Sequence, residues 1–147
     1  MENVSSPGAG WRVAFDSGPG NWDWNRVKAV AGDFNGDGKD DVGAFYNYDG
    51  SLTRLWVTEN VGSPTATWRL AFDSGPGNWD WNRVTAVTGD FNGDGNDDVG
   101  SVYDYGNAQL KLWLSTDVGS AAGANWRVVW DSGVGNWDGR RADWLRS

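Results

Sequence analysis

The chain has 147 residues, enough to bury a core without covalent staples, and it contains neither cysteine nor histidine. Those absences exclude a disulfide framework, a thiolate nucleophile, sulfur-ligated zinc and an imidazole general base. Twelve Lys and Arg against twenty Asp and Glu leave a formal charge of −8, which repels polyphosphate, so nucleic acid is not an expected partner.

No apolar run approaches the roughly 20 residues of a membrane span, so membrane insertion is not expected either. Residues 1–10 show neither the basic start nor the apolar stretch of a secretory leader. The excess lies in 12 tryptophans and 22 glycines, a pairing that suggests short strands, tight turns and aromatic contact sites.

Self-similarity organises the chain. Residues 11–43 match residues 68–100 at an offset of 57 with four differences, Val13/Leu70, Lys28/Thr85, Ala31/Thr88 and Lys39/Asn96. A third copy begins at Trp126 and departs after Asp138. The expected division is an opening partial unit over 1–25, a first full unit over 26–82, a second over 83–138 and a stub over 139–147.

In chain order, the opening unit carries a strand over Trp11–Asp16. The first full unit then reads as four strands separated by turn chemistry: a, Arg26–Phe34; b, Asp41–Tyr48; c, Leu52–Asn60; d, Trp68–Asp73. Alternation sets Leu55 and Val57 on one face of c, and Arg54, Trp56 and Thr58 on the other. Gly or Asp interrupts nearly every helical window, so no helix is expected. The second unit repeats the pattern and closes on a strand over Trp126–Asp131. Four-stranded units at this period fit β-propeller blades, with a two-layer sandwich as the alternative. Two complete blades do not close a ring, so the reading requires a homo-oligomer. The opening and closing strands then compete for one outer-edge position.

Between a and b lies Asp33-Phe-Asn35-Gly-Asp37-Gly-Lys39-Asp40-Asp41, and again Asp90-Phe-Asn92-Gly-Asp94-Gly-Asn96-Asp97-Asp98. Oxygen-bearing side chains at positions 1, 3, 5 and 9, glycine at 6 and a carbonyl at 7 suit a hard cation of Ca²⁺ size better than Mg²⁺. The carboxylates crowd each loop and repel one another, so a counterion would stabilise the turn. The alternative is a metal-free Asp/Asn/Gly turn.

GDFNGDGKDDVGAF and GDFNGDGNDDVGSV resemble the calcium-loop repeats of the FG-GAP/VCBS type, which form propeller blades in integrin alpha heads and in certain fungal and bacterial lectins. The resemblance covers both full units and implies a propeller with structural Ca²⁺. By the same pattern it implies Asp33, Asn35, Asp37, Lys39 (carbonyl) and Asp41 as ligands of one ion, and Asp90, Asn92, Asp94, Asn96 (carbonyl) and Asp98 of another.

The d–a connections are SGPGNWDWN at 17–25 and 74–82, and SGVGNWDG at 132–139. Strand direction alternates along a blade, so these connections share a side with the tyrosine-bearing b–c turns, and the acidic loops emerge opposite. An indole shelf beside carboxylates and amides suits a sugar, which offers C–H faces and fans of hydroxyls. The candidate ligand-binding residues are Asn21, Trp22, Asp23, Trp24 and Arg26; Asn78, Trp79, Asp80, Trp81 and Arg83; and Asn136, Trp137 and Asp138. Arg26, Arg83 and Arg141 either bind a ligand carboxylate or hold Asp23, Asp80 and Asp138 in place. One indole of each Trp-Asp-Trp is a packing wedge and the other a platform, or both stack on ligand. Trp11, Trp56, Trp68, Trp113 and Trp126 read as packing between blades.

The expectation is a secreted, multivalent, calcium-stabilised lectin whose partner is a glycan. The alternative is a calcium-dependent structural or protein-interaction module without sugar binding. No catalytic residue is singled out, because each plentiful Asp already has a metal or loop role, and the chain does not read as an enzyme.

Overall fold

The computed structural model describes residues 13–63, 66–120 and 124–138. Its strands are β1 (Val27–Gly32), β2 (Asp41–Tyr48), β3 (Leu52–Thr58), β4 (Trp68–Asp73), β5 (Val84–Gly89), β6 (Asp98–Gly106), β7 (Gln109–Ser115) and β8 (Arg127–Asp131). They form two antiparallel four-stranded sheets, ordered β1-β2-β3-β4 and β5-β6-β7-β8. The chain is all-β, and among the described residues no barrel or propeller closes.

Strands b and d coincide with β2 and β4, whereas a and c are shorter than their patterns. At the start of a, Arg26 belongs to a 3-10 turn, Trp24–Arg26, whose N-cap Asp23 accepts from the Asn25 N–H. The same turn recurs at Trp81–Arg83 under Asp80. Strand c stops at Thr58 because Asn60 adopts φ 56° and gives its N–H to the Asp41 carboxylate. The expected opening strand over Trp11–Asp16 is not found in Val13–Asp16, and Trp11 lies outside the described residues. β4 and β8 each pair with the strand before them, β3 and β7, and among the described residues no strand pairs with Val13–Asp16.

Register decides which residues share a face. Lys28, Phe45, Leu55 and Phe72 align across the first sheet, as do Val30, Gly43 and Val57. In the second sheet Val84 aligns with Tyr103, Ala86 with Ser101 and Trp113, and Thr88 with Val99. These two faces meet and make the core, in which Phe45, Leu55, Val57 and Val99 are fully buried. Each such aliphatic or aromatic side chain contributes about 1.5–3 kcal/mol on burial. The position facing Val30 is glycine because a Cβ on Gly43 would stand 2.7 Å from Val30 Cγ2.

Polar bonds fix the sheets against each other. Thr88 Oγ1 donates to the Ala31 carbonyl at 2.8 Å, the Ala124 N–H to Ala71 at 2.7 Å, and the Arg69 guanidinium to Val118 at 2.6 Å. Lys28 Nζ donates to the carbonyls of Trp81, at 2.7 Å, and Val84, and lies 4.2 Å from the Trp81 ring centre. Burial lowers the Lys28 pKa, against the opposing pull of Asp80.

The alternation of strand direction places the loops as the sequence implies. The β4–β5 connection bonds to the β2–β3 turn, through Gly77 N–H to Gly50 at 2.8 Å and Trp79 N–H to Ser51 at 3.1 Å. On the other side the β1–β2 loop lies under the β7–β8 loop, with Gly119 against the Phe34 carbonyl.

Candidate functional site

The acidic β1–β2 and β5–β6 loops have nearly the same internal geometry. Asp33 Oδ1 accepts from Gly36 and Asp37 N–H at 2.8 and 3.0 Å, and Oδ2 from Gly38 at 2.7 Å. Asp90 accepts from Gly93, Asp94 and Gly95 at 2.6, 3.1 and 3.0 Å. Asn35 and Asn92 accept from Asp37 and Asp94, which in turn accept from residues 39 and 96. Gly38 and Gly95 turn the chain at φ 80° and 91°, where a side chain would be strained.

At the ninth position, Asp41 and Asp98 are buried. One oxygen of each is satisfied, by Asn60 N–H at 3.1 Å and Phe91 N–H at 3.0 Å. The other, Asp41 Oδ2 and Asp98 Oδ1, is buried and meets no donor. Burial raises both pKa values against the opposing backbone hydrogen bonds, chiefly from Asn60 and Phe91, and the neighbouring charges of Glu59 and Asp37, or Asp94 and Asp90, add to the rise. An ionised buried oxygen without a donor is costly, and either a proton or a bound cation relieves it.

The residues therefore fit a hard divalent ion. Among the described residues no three acidic side chains stand close enough to hold one by themselves, so a bound ion would draw on the Asn35 and Asn92 amides and the carbonyls of Lys39 and Asn96. The loops differ at their seventh position, where Lys39 Nζ pairs with Asp37 Oδ2 at 3.3 Å and Asn96 stands at the matching place. Asp97 serves the other loop, since its carboxylate accepts from Asp33 N–H at 2.9 Å and its N–H donates to the Asp33 carbonyl at 2.7 Å.

The tryptophan connections divide by role. Trp79 is 6% exposed and packs against Phe72, Tyr103, Trp113 and Trp126 at 5.3–5.8 Å, so this ring is a wedge between sheets and not a surface shelf. Trp81 is half-buried, capped by the Lys28 ammonium, with its N–H on the Phe45 carbonyl at 3.3 Å. Trp22 is half-buried against Phe15, Tyr46 and Trp68. The open indoles are Trp24, 78% exposed, and Trp137, 44% exposed. Trp113 and Trp126 lie between the sheets, whereas Trp56 and Trp68 line a cleft with Phe15 and Trp22 on the outer face of the first sheet.

The polar candidates are mostly occupied by the loops themselves. The Asn21, Asn78 and Asn136 amides donate to the carbonyls of Ser17, Ser74 and Ser132. Asp23 and Asp80 cap the 3-10 turns. Arg83 pairs with Asp80 at 3.6 Å, whereas Arg26 reaches Asp49 at 3.2 Å. Asp138 follows Trp137 at the end of the described chain, and Arg141 lies outside it. The tyrosines of the b–c turns, expected on this side without an assigned role, anchor the connections through their hydroxyls: Asp23 N–H donates to Tyr46 at 3.1 Å and Asp80 N–H to Tyr103 at 3.0 Å. Their shared offset of 57 was the available signal.

Comparison with protein-family models, curated proteins and solved structures returns no match for the chain.

Proposed function

We propose that this chain is a calcium-stabilised, multivalent carbohydrate-binding protein assembled from β-propeller blades and working outside the cell, where calcium is plentiful. The metal half of the reading is supported by the buried, donor-less oxygens of Asp41 and Asp98 within loops that also present Asp33, Asn35, Asp37 and the Lys39 carbonyl, or Asp90, Asn92, Asp94 and the Asn96 carbonyl. A bound ion neutralises those carboxylates and holds the turn; the residues named here bind it, and none is assigned a chemical step.

The observation that carries the sugar half is Trp24, an indole left 78% exposed beside Asp23 and Asn25 on the side away from the acidic loops. A ring in that position offers area to a pyranose face, with carboxylate and amide oxygens to orient hydroxyls. Trp137 is a second shelf. Weak sites multiplied across an assembly give avidity. Burial of Trp79 favours the alternative, a calcium-dependent interaction module whose tryptophans only pack.

A glycan array followed by titration calorimetry in millimolar calcium separates the two. The sugar reading expects binding that Trp24→Ala weakens and Trp24→Ala with Trp137→Ala abolishes, while the calcium-dependent melting temperature stays unchanged. Binding to no glycan, with calcium bound, leaves the interaction module.

A further inference from the structure

Equivalent residues of the two repeats differ in burial, and the difference has a direction. Phe34 is 3% exposed beneath the Val118–Gly119 turn of the second sheet, whereas its counterpart Phe91 is 53% exposed. Val84 and Val99 are 2% and 0% exposed against the first sheet. Their counterparts Val27 and Val42 are half-buried and border an open groove of about 470 Å³, shared with Phe15, Trp22, Trp24 and Ala29.

The residues that lack cover lie on two outer faces. One, on the second sheet, carries Thr85, Val102, Leu112 and Trp130 in register. It repeats Lys28, Phe45, Leu55 and Phe72, which are covered inside the chain. The other, on the first sheet, is the groove floor of Val27, Ala29, Val42 and Ala44. Both halves of the interface seen inside the chain are therefore present a second time, facing outward.

The aromatic rings show how the halves would join. Inside the chain Phe72, Trp79 and Trp126 form a triangle with centres 5.3–5.4 Å apart. In front of the first sheet Phe15 and Trp22 complete the same triangle on Trp68, at 5.5 and 5.1 Å, but the Phe15–Trp22 edge is 6.4 Å and Phe15 belongs to no strand. At the far end, Trp130 of β8 and Trp137 of the following loop repeat the donor pair at 5.6 Å.

We propose that the protein associates head to tail with a second copy of itself. The outer face of the second sheet seats on the groove of the first, and Trp130 and Trp137 of one copy displace Phe15 and Trp22 of the next. A contact of this kind uses different patches on the two copies, so it propagates until a ring closes or a filament grows. It rests on the blade assembly of the proposed function and not on calcium, and it competes with the sugar reading, because it covers the groove that Trp24 lines and makes Trp137 a wedge like Trp79.

The junction between copies is weaker than the one inside the chain. The Lys28 ammonium and the Thr88 hydroxyl bridge the internal junction. At the external one, Thr85 and Ala31 occupy those places. Two of the four differences between the repeats thus remove bonds from the contact between chains, and association depends on concentration.

Light scattering and sedimentation of the full chain, in saturating calcium across micromolar to millimolar concentration, test the proposal. The mass should rise above that of one chain. Phe15→Ala weakens the incumbent and should lower the midpoint concentration by roughly two- to tenfold, the range that ring pairs are worth. Thr85→Lys should lower it further. Ala29→Arg, at an exposed position where the isolated fold tolerates it, and Trp130→Ala should hold the chain at single-chain mass. A single-chain mass throughout for wild type, Phe15→Ala and Thr85→Lys, or association of Ala29→Arg at the wild-type midpoint, overturns the proposal. Sugar binding by a species that stays at single-chain mass would leave carbohydrate recognition standing and remove the assembly.

Discussion

Trp22 and Trp79 sit in the same local sequence, Ser-Gly-Pro-Gly-Asn-Trp-Asp-Trp-Asn-Arg, yet the fold treats them differently, and replacing each by alanine measures the difference. Trp79 is 6% exposed with four ring neighbours at 5.3–5.8 Å, in a core whose sheets are locked by several polar bonds and cannot close over a void. Truncation there should cost about 4 kcal/mol, the middle of the range for a buried aromatic. Trp22 is half-buried with three ring neighbours at 5.1–6.4 Å, and one of them, Phe15, is itself exposed. Half the burial and looser packing bring its cost to about 1–2 kcal/mol. With a urea slope near 2 kcal/mol per molar, the midpoints should fall by about 2 M and about 0.7 M. Far-UV circular dichroism at dilute protein, in saturating calcium, reads both. Equal shifts, or a larger one for Trp22→Ala, would mean that the sheets do not pack through the Trp79 wedge.

Lys28→Thr, which installs the residue found at the matching position 85, removes the donor from the Trp81 and Val84 carbonyls and should cost about 1–3 kcal/mol in chemical denaturation. Stability equal to wild type would show that the ammonium does not bridge the sheets. At the β7–β8 edge, the Asp131 carboxyl is held down to about 2 by the Gln109 amide, the Gly133 N–H and Lys111. A depressed carboxyl stabilises the fold fully above its unfolded value near 3.8 and loses that contribution as pH falls toward 2. Amide exchange in β8 should therefore accelerate over that window, relative to β1, and Asp131→Asn should abolish the difference.

Much of the fold was legible because punctuation and alternation agree with tertiary contacts at β2 and β4, whose bounds match the pattern residue for residue. The a and c strands came out too long because side chains ended them. The Asp23 and Asp80 caps consume residues 26 and 83, and Asp41 captures the backbone at Asn60. What the sequence hid is position within the array. Identical Trp-Asp-Trp segments bury Trp79 but only half bury its counterpart Trp22, and half bury Trp81 but expose its counterpart Trp24, since burial depends on whether another sheet lies alongside. Local pattern likewise assigns Asp97 to its own loop, and only the packing of two sheets shows that it braces Asp33 of the other.

Calcium titration by calorimetry, joined to thermal unfolding with and without a chelator, tests the central claim most directly. The account predicts two ions per chain, one lost in Asp41→Asn and the other in Asp98→Asn. Each ion at a hundred times its dissociation constant adds about 2.7 kcal/mol, so two raise the melting temperature by about 10–20 °C. No heat of binding and an unchanged melting temperature in millimolar calcium would contradict it.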